Sequence, residues 1–383
     1  MDKKTILILA HNDYTHSIGG IEKFITEQTD MFERNGFEVI GICPVTKQFS
    51  INERALKSSF CGYMAIKKKS IIRSCCSFDD LIVLLKAENI CKLVIHSIIK
   101  IPYKDVLRLI DAYTEVDTYF YIHDFKSICV SQVLMKNKRN YCGSDGRSLK
   151  KCHFCRFYWE GFFENRFYSH LIADYSHIVY VFPAEITKEN WQKCYTNVEE
   201  KRLLVIPHQV LSGEPLTHKL SSKKLRIAYV GYKSFNKGWS AFKKLVSHDK
   251  GKHEFYVLGR TNEMLPDVKC VSVSFHEDGP DAMIKAIRNN NIDVALLWSM
   301  CPETYSYTLY ESFVGGAFIL TNPDSGNIQA QVKRLQCGKI LNSIEDLIRY
   351  VERGELDRDV VQNIKPRPSD LLFNEKGTKR LIV

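Results

Sequence analysis

The sequence predicts an α/β protein built of two Rossmann-like halves that face each other across a cleft. Three observations carry this expectation. From the N-terminus to about residue 206, apolar runs of strand length alternate with amphipathic stretches of helix length, the pattern of a parallel sheet with crossover helices. The alternation stops at 207–224, where Pro, Gly, Ser, Thr and Lys are prominent, and restarts at Leu225. A chain of 383 residues is long enough for two such units.

In the first half, expected to span 1–206, Thr5 to Ala10 reads as a strand and Ile21 to Asn35 as a helix. Ile21, Phe24, Ile25, Gln28 and Phe32 lie near one face of that helix, Gly36 stops it, and Phe37 to Cys43 is the second strand. Gly19 and Gly20 immediately precede the helix, where missing side chains let a ligand or the facing half approach the backbone. Phe78 to Asn89 and Tyr103 to Glu115 read as helices, Cys91 to His96 and Thr118 to Ile122 as strands. The last strand ends in His123-Asp124, and α/β folds place ligands at the carboxyl ends of parallel strands. Glu164 to Tyr175 and Ala184 to Tyr195 as helices, with His177 to Phe182 and Arg202 to Ile206 as strands, complete the half.

An excursion at 125–166 interrupts the alternation and carries Cys129, Cys142, Cys152 and Cys155. Cys-x2-Cys lets two thiolates reach one tetrahedral ion, and four such ligands would make a closed structural zinc site. His153 is an alternative ligand, and reduced buried thiols or a labile disulfide are the competing readings. The same excursion holds KNKRN, GRSLKK and FYWEGFF. A basic and aromatic surface of this kind suits an anionic acceptor, a membrane surface or a nucleic acid, and equally a solvated loop.

The second half is expected over 225–366, with 367–383 packing back on the first. Leu225 to Val230, Glu254 to Leu258 and Val268 to Phe275 read as strands; Lys237 to His248, Asp281 to Asn290 and Ile344 to Arg353 read as helices. The first strand-to-helix loop, GYKSFNKG from Gly231 to Gly238, places Lys233 and Lys237 beside a glycine turn at a helix start, a pattern suited to clamping a diphosphate. Leu296 to Gln329 is the most informative stretch. Ile292 to Trp298 is a buried strand, Pro302 breaks the chain, and a helix is expected from Thr304 to the Gly315-Gly316 stop. Glu303 and Glu311, eight positions apart, then fall on nearly one helical face. The first-turn amides of Tyr305, Ser306, Tyr307 and Thr308 would be unpaired donors for a phosphate.

The run PETYSYTLYES, followed by VGGAFILTN and PDSGN, resembles the glutamate-(seven residues)-glutamate signature of family 4 glycosyltransferases, retaining nucleotide-sugar enzymes of the GT-B fold. GGIEKFI, His123-Asp124 and the lysine of GYKSFNKG are similar to that family's loops. Two positions depart from it: Tyr232 stands where an arginine is usual, and His208-Gln209 where Asn-Gly follows the crossing proline. The resemblance implies that Glu311 holds the nucleotide ribose and Glu303 the sugar hydroxyls near the reacting carbon. It implies that Lys237 and the helix amides stabilise the departing diphosphate, with His123 beside the donor sugar as base, orienter or backbone contact. The implied reaction transfers a sugar, with retention, from a nucleotide diphosphate sugar to a glycan or lipid-linked acceptor in surface polysaccharide or glycolipid biosynthesis. No catalytic metal is expected. A nucleotide-sugar epimerase is the alternative within enzymes; a zinc-stabilised nucleic-acid or membrane-binding protein is the alternative outside them.

The formal charge of +10, from 54 basic and 44 acidic side chains, permits attraction to nucleotides, nucleic acid or an anionic membrane without choosing among them. Nucleic acid is not an expected partner. No apolar run reaches the ~18 residues that span a bilayer, and Met1 to Ala10 is too short for a signal peptide. A cytoplasmic location, peripheral at the inner membrane face, is expected. Thirteen irregularly spaced cysteines suit reduced thiols better than a disulfide framework.

Overall fold

The computed structural model describes residues 3–17, 19–52, 55–220, 224–260 and 265–383, so positions 221–223 of the expected linker lie outside the described residues. The first sheet begins with β1 (Thr5–Leu9), β2 (Glu38–Asn52), β3 (Ala55–Lys67), β4 (Ser70–Cys76), β5 (Ile90–Ile95) and β6 (Asp117–Tyr121). A small hairpin, β7 (Met135–Lys136) and β8 (Asn140–Tyr141), lies in the excursion, and β9 (Ile178–Phe182) and β10 (Leu203–Val205) finish the series. The strand order is β10-β9-β6-β5-β1-β2-β3-β4, parallel from β10 to β2. Since β1 lies between β2 and β5, the order reverses there and opens a crevice at the strand ends.

Both faces of this sheet are covered. Leu7 and Leu9 of β1 enter one core with Ile40, Leu93 and Trp191, whereas Ile6 and Ile8 enter the other with Phe24, Phe32 and Val94. Such two-sided burial explains why β1 reads as an unbroken apolar run. One expectation is corrected here. The second strand does not stop at Cys43; β2 continues to Asn52 and folds back as antiparallel β3 and β4. β4 is exposed along nearly its whole length, and an edge strand with no core to face leaves no alternating apolar signal.

The chain leaves the first sheet through β11 (Gln209–Ser212) and builds β12 (Arg226–Val230), β13 (Glu254–Leu258), β14 (Val268–Val271), β15 (Val294–Leu296), β16 (Phe318–Thr321) and β17 (Gly338–Ile340). These form an all-parallel sheet in the order β14-β13-β12-β15-β16-β17, with its own reversal between β12 and β15. Ile227 and Tyr229 face one core, Ala228 and Val230 the other. The return crossing, β18 (Asp370–Phe373), pairs antiparallel with β11. Beyond it Leu381 is fully buried in the cluster that holds Ile6 and Ile8. Among the described residues no helix is long and apolar enough to cross a membrane.

Candidate functional site

The carboxyl ends of the two sheets meet at the reversals. Thr304, between β15 and the helix Tyr307–Gly315, donates its hydroxyl to the His123 carbonyl at 2.5 Å, and its own carbonyl accepts from Thr187 Oγ1 at 2.8 Å. Gly20 opens the helix Gly20–Arg34, and a Cβ there would lie 3.0 Å from the Tyr307 ring. The missing side chain is what lets the two halves close on each other. At Gly19 a Cβ would stand 2.2 Å from Glu22 Oε2, because the Glu22 carboxylate folds back over it. Glu22 is held there by Asn12 Nδ2 at 3.1 Å and faces His11 Nε2 at 3.4 Å.

Glu303 is not on the helix, which corrects the expectation that both glutamates share one helical face. Ser306 caps the helix, its hydroxyl accepting from the Leu309 amide at 3.3 Å, so the helix starts at Tyr307. Glu303 instead lies extended against Gly326: its amide donates to Ser325 at 3.2 Å and its carbonyl accepts from Asn327 at 2.9 Å. Gly326 has φ +60°, and a Cβ there would sit 2.8 Å from the Glu303 backbone, so the contact requires glycine. The Glu303 carboxylate receives Lys237 Nζ at 2.7 and 2.6 Å and Ser299 Oγ at 2.9 Å. Lys237 and Glu303, read from separate motifs, are thus one ion pair. Gly231 meets the start of the helix Tyr307–Gly315, its Cβ position 3.2 Å from the Thr308 methyl.

One expected donor is occupied, and two neighbours of the site make contacts of their own. The Ser306 amide is occupied by Asn327 Oδ1 at 3.2 Å, and Tyr305 is buried with its hydroxyl accepting from the Gln209 amide at 3.1 Å. The Ser306 amide is thus spoken for within the second half, whereas the Tyr305 contact engages its side chain alone. Lys233 holds its ammonium 4.8 Å from the Trp239 ring centre.

Glu311 does project from the helix toward the first half, and burial pushes its carboxyl up to about 7 against the opposing pull of Lys23. Glu27 is pushed up to about 7 by the same cause. Lys23, one turn before Glu27, lies 5.2 Å from the Tyr307 ring centre and 4.9 Å from that of Phe275. A cation of one half therefore sits near carboxyls of both. Lys23 and Glu27 are site neighbours that no motif marks; their i,i+4 spacing shortly after the glycine pair is the one signal of them in the sequence.

His123 stands two residues beyond the end of β6, and its protonation can be read from its neighbours. Gln28 Nε2 donates to the Tyr121 hydroxyl at 2.8 Å, leaving Gln28 Oε1 to accept from His96 Nε2 at 2.8 Å. Burial, with the nearby His123, holds His96 well below its ordinary value, so His96 is neutral and its Nδ1 accepts from His123 Nε2 at 3.0 Å. His123, lowered to about 3 by burial and by His11, is left with an unprotonated Nδ1 that has no protein partner. It has company. His11 Nδ1, His208 Nε2, Glu27 Oε2 and Gln209 Oε1 are also buried without protein partners, and His208 packs against both the His123 and the Tyr305 rings. Buried polar atoms are ordinarily paired, so unpaired ones at strand ends are open to a bond from water or a ligand.

The four cysteines of the excursion line one cavity of about 30 Å³. They do not form the expected closed ligand set: among the described residues no three His, Cys, Asp or Glu side chains are grouped to hold a metal. Cys142 Sγ instead donates to the Leu134 carbonyl at 2.9 Å. Within the excursion β7 pairs with β8, and Lys126 at its start pairs with buried Glu164.

No protein-family model matches the chain, and no curated protein sequence is similar to it. Solved structures are similar in fold. A sucrose-phosphate synthase from Thermosynechococcus elongatus superposes with a TM-score of 0.60 at 10% identity, over 99% of this chain and 95% of that one. WaaG, a glycosyltransferase involved in lipopolysaccharide biosynthesis, gives 0.55 at 12% identity over 94% and 93% of the two chains. HepE from Anabaena, in complex with UDP-glucose, gives 0.55 at 10% identity over 98% and 94%. The likeness runs through both sheets and both crossings: the chain has the GT-B fold.

Proposed function

We propose that the protein is a retaining glycosyltransferase that moves a sugar from a nucleotide diphosphate sugar to an acceptor hydroxyl. The observation that carries this reading is the Lys237–Glu303 ion pair, set beside buried polar atoms that lack partners where the two sheets meet. Without a donor, Lys237 is neutralised by Glu303. A diphosphate entering the Gly231–Gly238 loop would take over the ammonium and free the carboxylate for the sugar hydroxyls. Negative charge builds on the leaving diphosphate in the transition state, so a cation fixed there beforehand lowers the barrier. Glu311, carrying its proton near neutral pH, can both donate to and accept from a ribose hydroxyl. His123 Nδ1 can accept from a sugar hydroxyl. The UDP-glucose held by HepE supports the donor class, and the work of WaaG supports a glycan or lipid-linked acceptor for a surface polysaccharide or glycolipid.

A structural zinc on Cys129, Cys142, Cys152 and Cys155 is a separate proposal: the four line one cavity, although as they stand no three of them are grouped to hold an ion. Zinc would release the thiol protons and draw the sulfurs together. Metal analysis of purified protein should give about one zinc per chain, lost in Cys152→Ser/Cys155→Ser.

Thermal-shift titration with UDP-, GDP- and ADP-sugars tests the main reading. A true donor at 100 times its Kd stabilises by about 2.7 kcal/mol, and Lys237→Ala should abolish the shift. If none of these sugars raises Tm, the reading fails. Product NMR at early times then decides between retention and inversion.

A further inference from the structure

The helix Tyr158–Asp174 is apolar on two sides, and the fold covers one. Gly161, Phe167, Tyr168, Leu171 and Ile172 are buried, the last four in the core of the first sheet. On the other side Trp159 is 73% exposed, Phe162 53% and Phe163 66%, with Phe154, just before the helix, at 85%. Positions 159, 162, 163 and 166 follow the i, i+3, i+4, i+7 spacing of a single helical stripe, and Arg166 closes it. Exposed apolar residues scattered singly need no explanation, but four large aromatics within ten positions are a patch.

The charge around the patch selects its partner. Residues 136–166 contain eight basic and three acidic side chains, a net charge of +5, half of the whole chain's excess of +10. Lys138, Arg139, Lys150, Arg156 and Arg166 are exposed. A stripe of Trp and Phe flanked by Lys and Arg is the composition of a helix lying in the headgroup region of a bilayer, where the rings enter the acyl boundary and the cations meet lipid phosphates. We propose that this face docks on an anionic lipid surface. The excursion leaves the first sheet directly after His123-Asp124, so docking would set the junction beside the membrane, within reach of a lipid-borne acceptor. The proposal stands apart from the donor assignment, because lipid binding needs no nucleotide.

The protein carries its own probe. Of its four tryptophans, Trp191, Trp239 and Trp298 are 0%, 8% and 3% exposed, leaving Trp159 as the one open to solvent. The experiment mixes the full chain with vesicles of phosphatidylcholine alone or with added phosphatidylglycerol, and follows co-sedimentation and tryptophan emission. Binding and a blue shift are expected with phosphatidylglycerol only, with quenching by brominated acyl chains. Trp159→Ser/Phe162→Ser/Phe163→Ser should lose about tenfold or more in binding, with unchanged Tm and unchanged nucleotide-sugar thermal shift. Lys150→Glu/Arg156→Glu should weaken binding and flatten its salt dependence. Equal sedimentation of the triple variant and the wild type overturns the proposal, as does failure of the wild type to bind anionic vesicles. A wild type that self-associates without lipid, while the triple variant is monomeric, overturns it in favour of a second copy of the chain.

Discussion

Glu303 shares its carboxylate between Lys237 and Ser299, and the two partners set the expected effect of changing it. Glu303→Ala leaves Lys237, which is 45% exposed, able to turn to solvent, so the fold should survive. Turnover should fall about a hundredfold or more, the scale of losing one fixed polar group at a reacting centre; near-normal turnover of the folded variant would rule out the assigned role. Glu311 makes a prediction in pH. Its native carboxyl holds a proton from the ordinary 4.5 up to about 7, whereas the unfolded chain releases it. Stability from this group is therefore lost as pH rises through that window. Glu311→Gln stays neutral, so its Tm relative to wild type should climb between about pH 5 and pH 8, and a flat difference would refute the burial argument. His123 acts in the other direction. Below the ordinary 6.5 the unfolded imidazole takes a proton that the native one, lowered to about 3, refuses, so stability is lost as pH falls. At this scale the residue types were legible in the sequence and their pairings were not: nothing in GYKSFNKG says that its second lysine meets a glutamate 66 positions away.

The elements show which local signals decide. β9 and β15 are apolar from end to end, and β1, β5, β6, β12 and β13 carry polar residues only in their first half, because strands buried on both faces must be largely apolar. The β2–β3–β4 ribbon escaped notice for the opposite reason, having a largely exposed outer strand. Pro302 predicts a helix from Thr304; Ser306, whose hydroxyl accepts from Leu309, sets the start of Tyr307–Gly315 about one turn later. Ser306→Ala should cost about 1 kcal/mol of stability, the usual value of a cap, and should weaken donor binding as the Tyr307–Thr308 turn loosens. Unfolding in urea with and without the donor separates the two effects.

At the scale of the molecule, the chain passes between the sheets twice, and the passages are bound together. Val210 and Leu211 pair with Leu372 and Leu371, Leu216 pairs with Arg367, and Asn374 reaches the carbonyls of Pro207 and His208. After the return, Leu381 settles in the first core without exposed surface. Deleting 374–383 should therefore lower Tm by several degrees while leaving the second sheet intact; an unchanged Tm would show that the return segment adds nothing. Two strands side by side behave mechanically as a strap and not as a string. A single covalent strand between two bodies allows rotation about three axes, whereas a hydrogen-bonded pair resists twisting and yields mainly to bending across its plane. Any motion of one sheet against the other would thereby be confined to something like the swing of a door, and the elements that carry Lys237 and His123 would separate and return along the same arc, without a search through orientations.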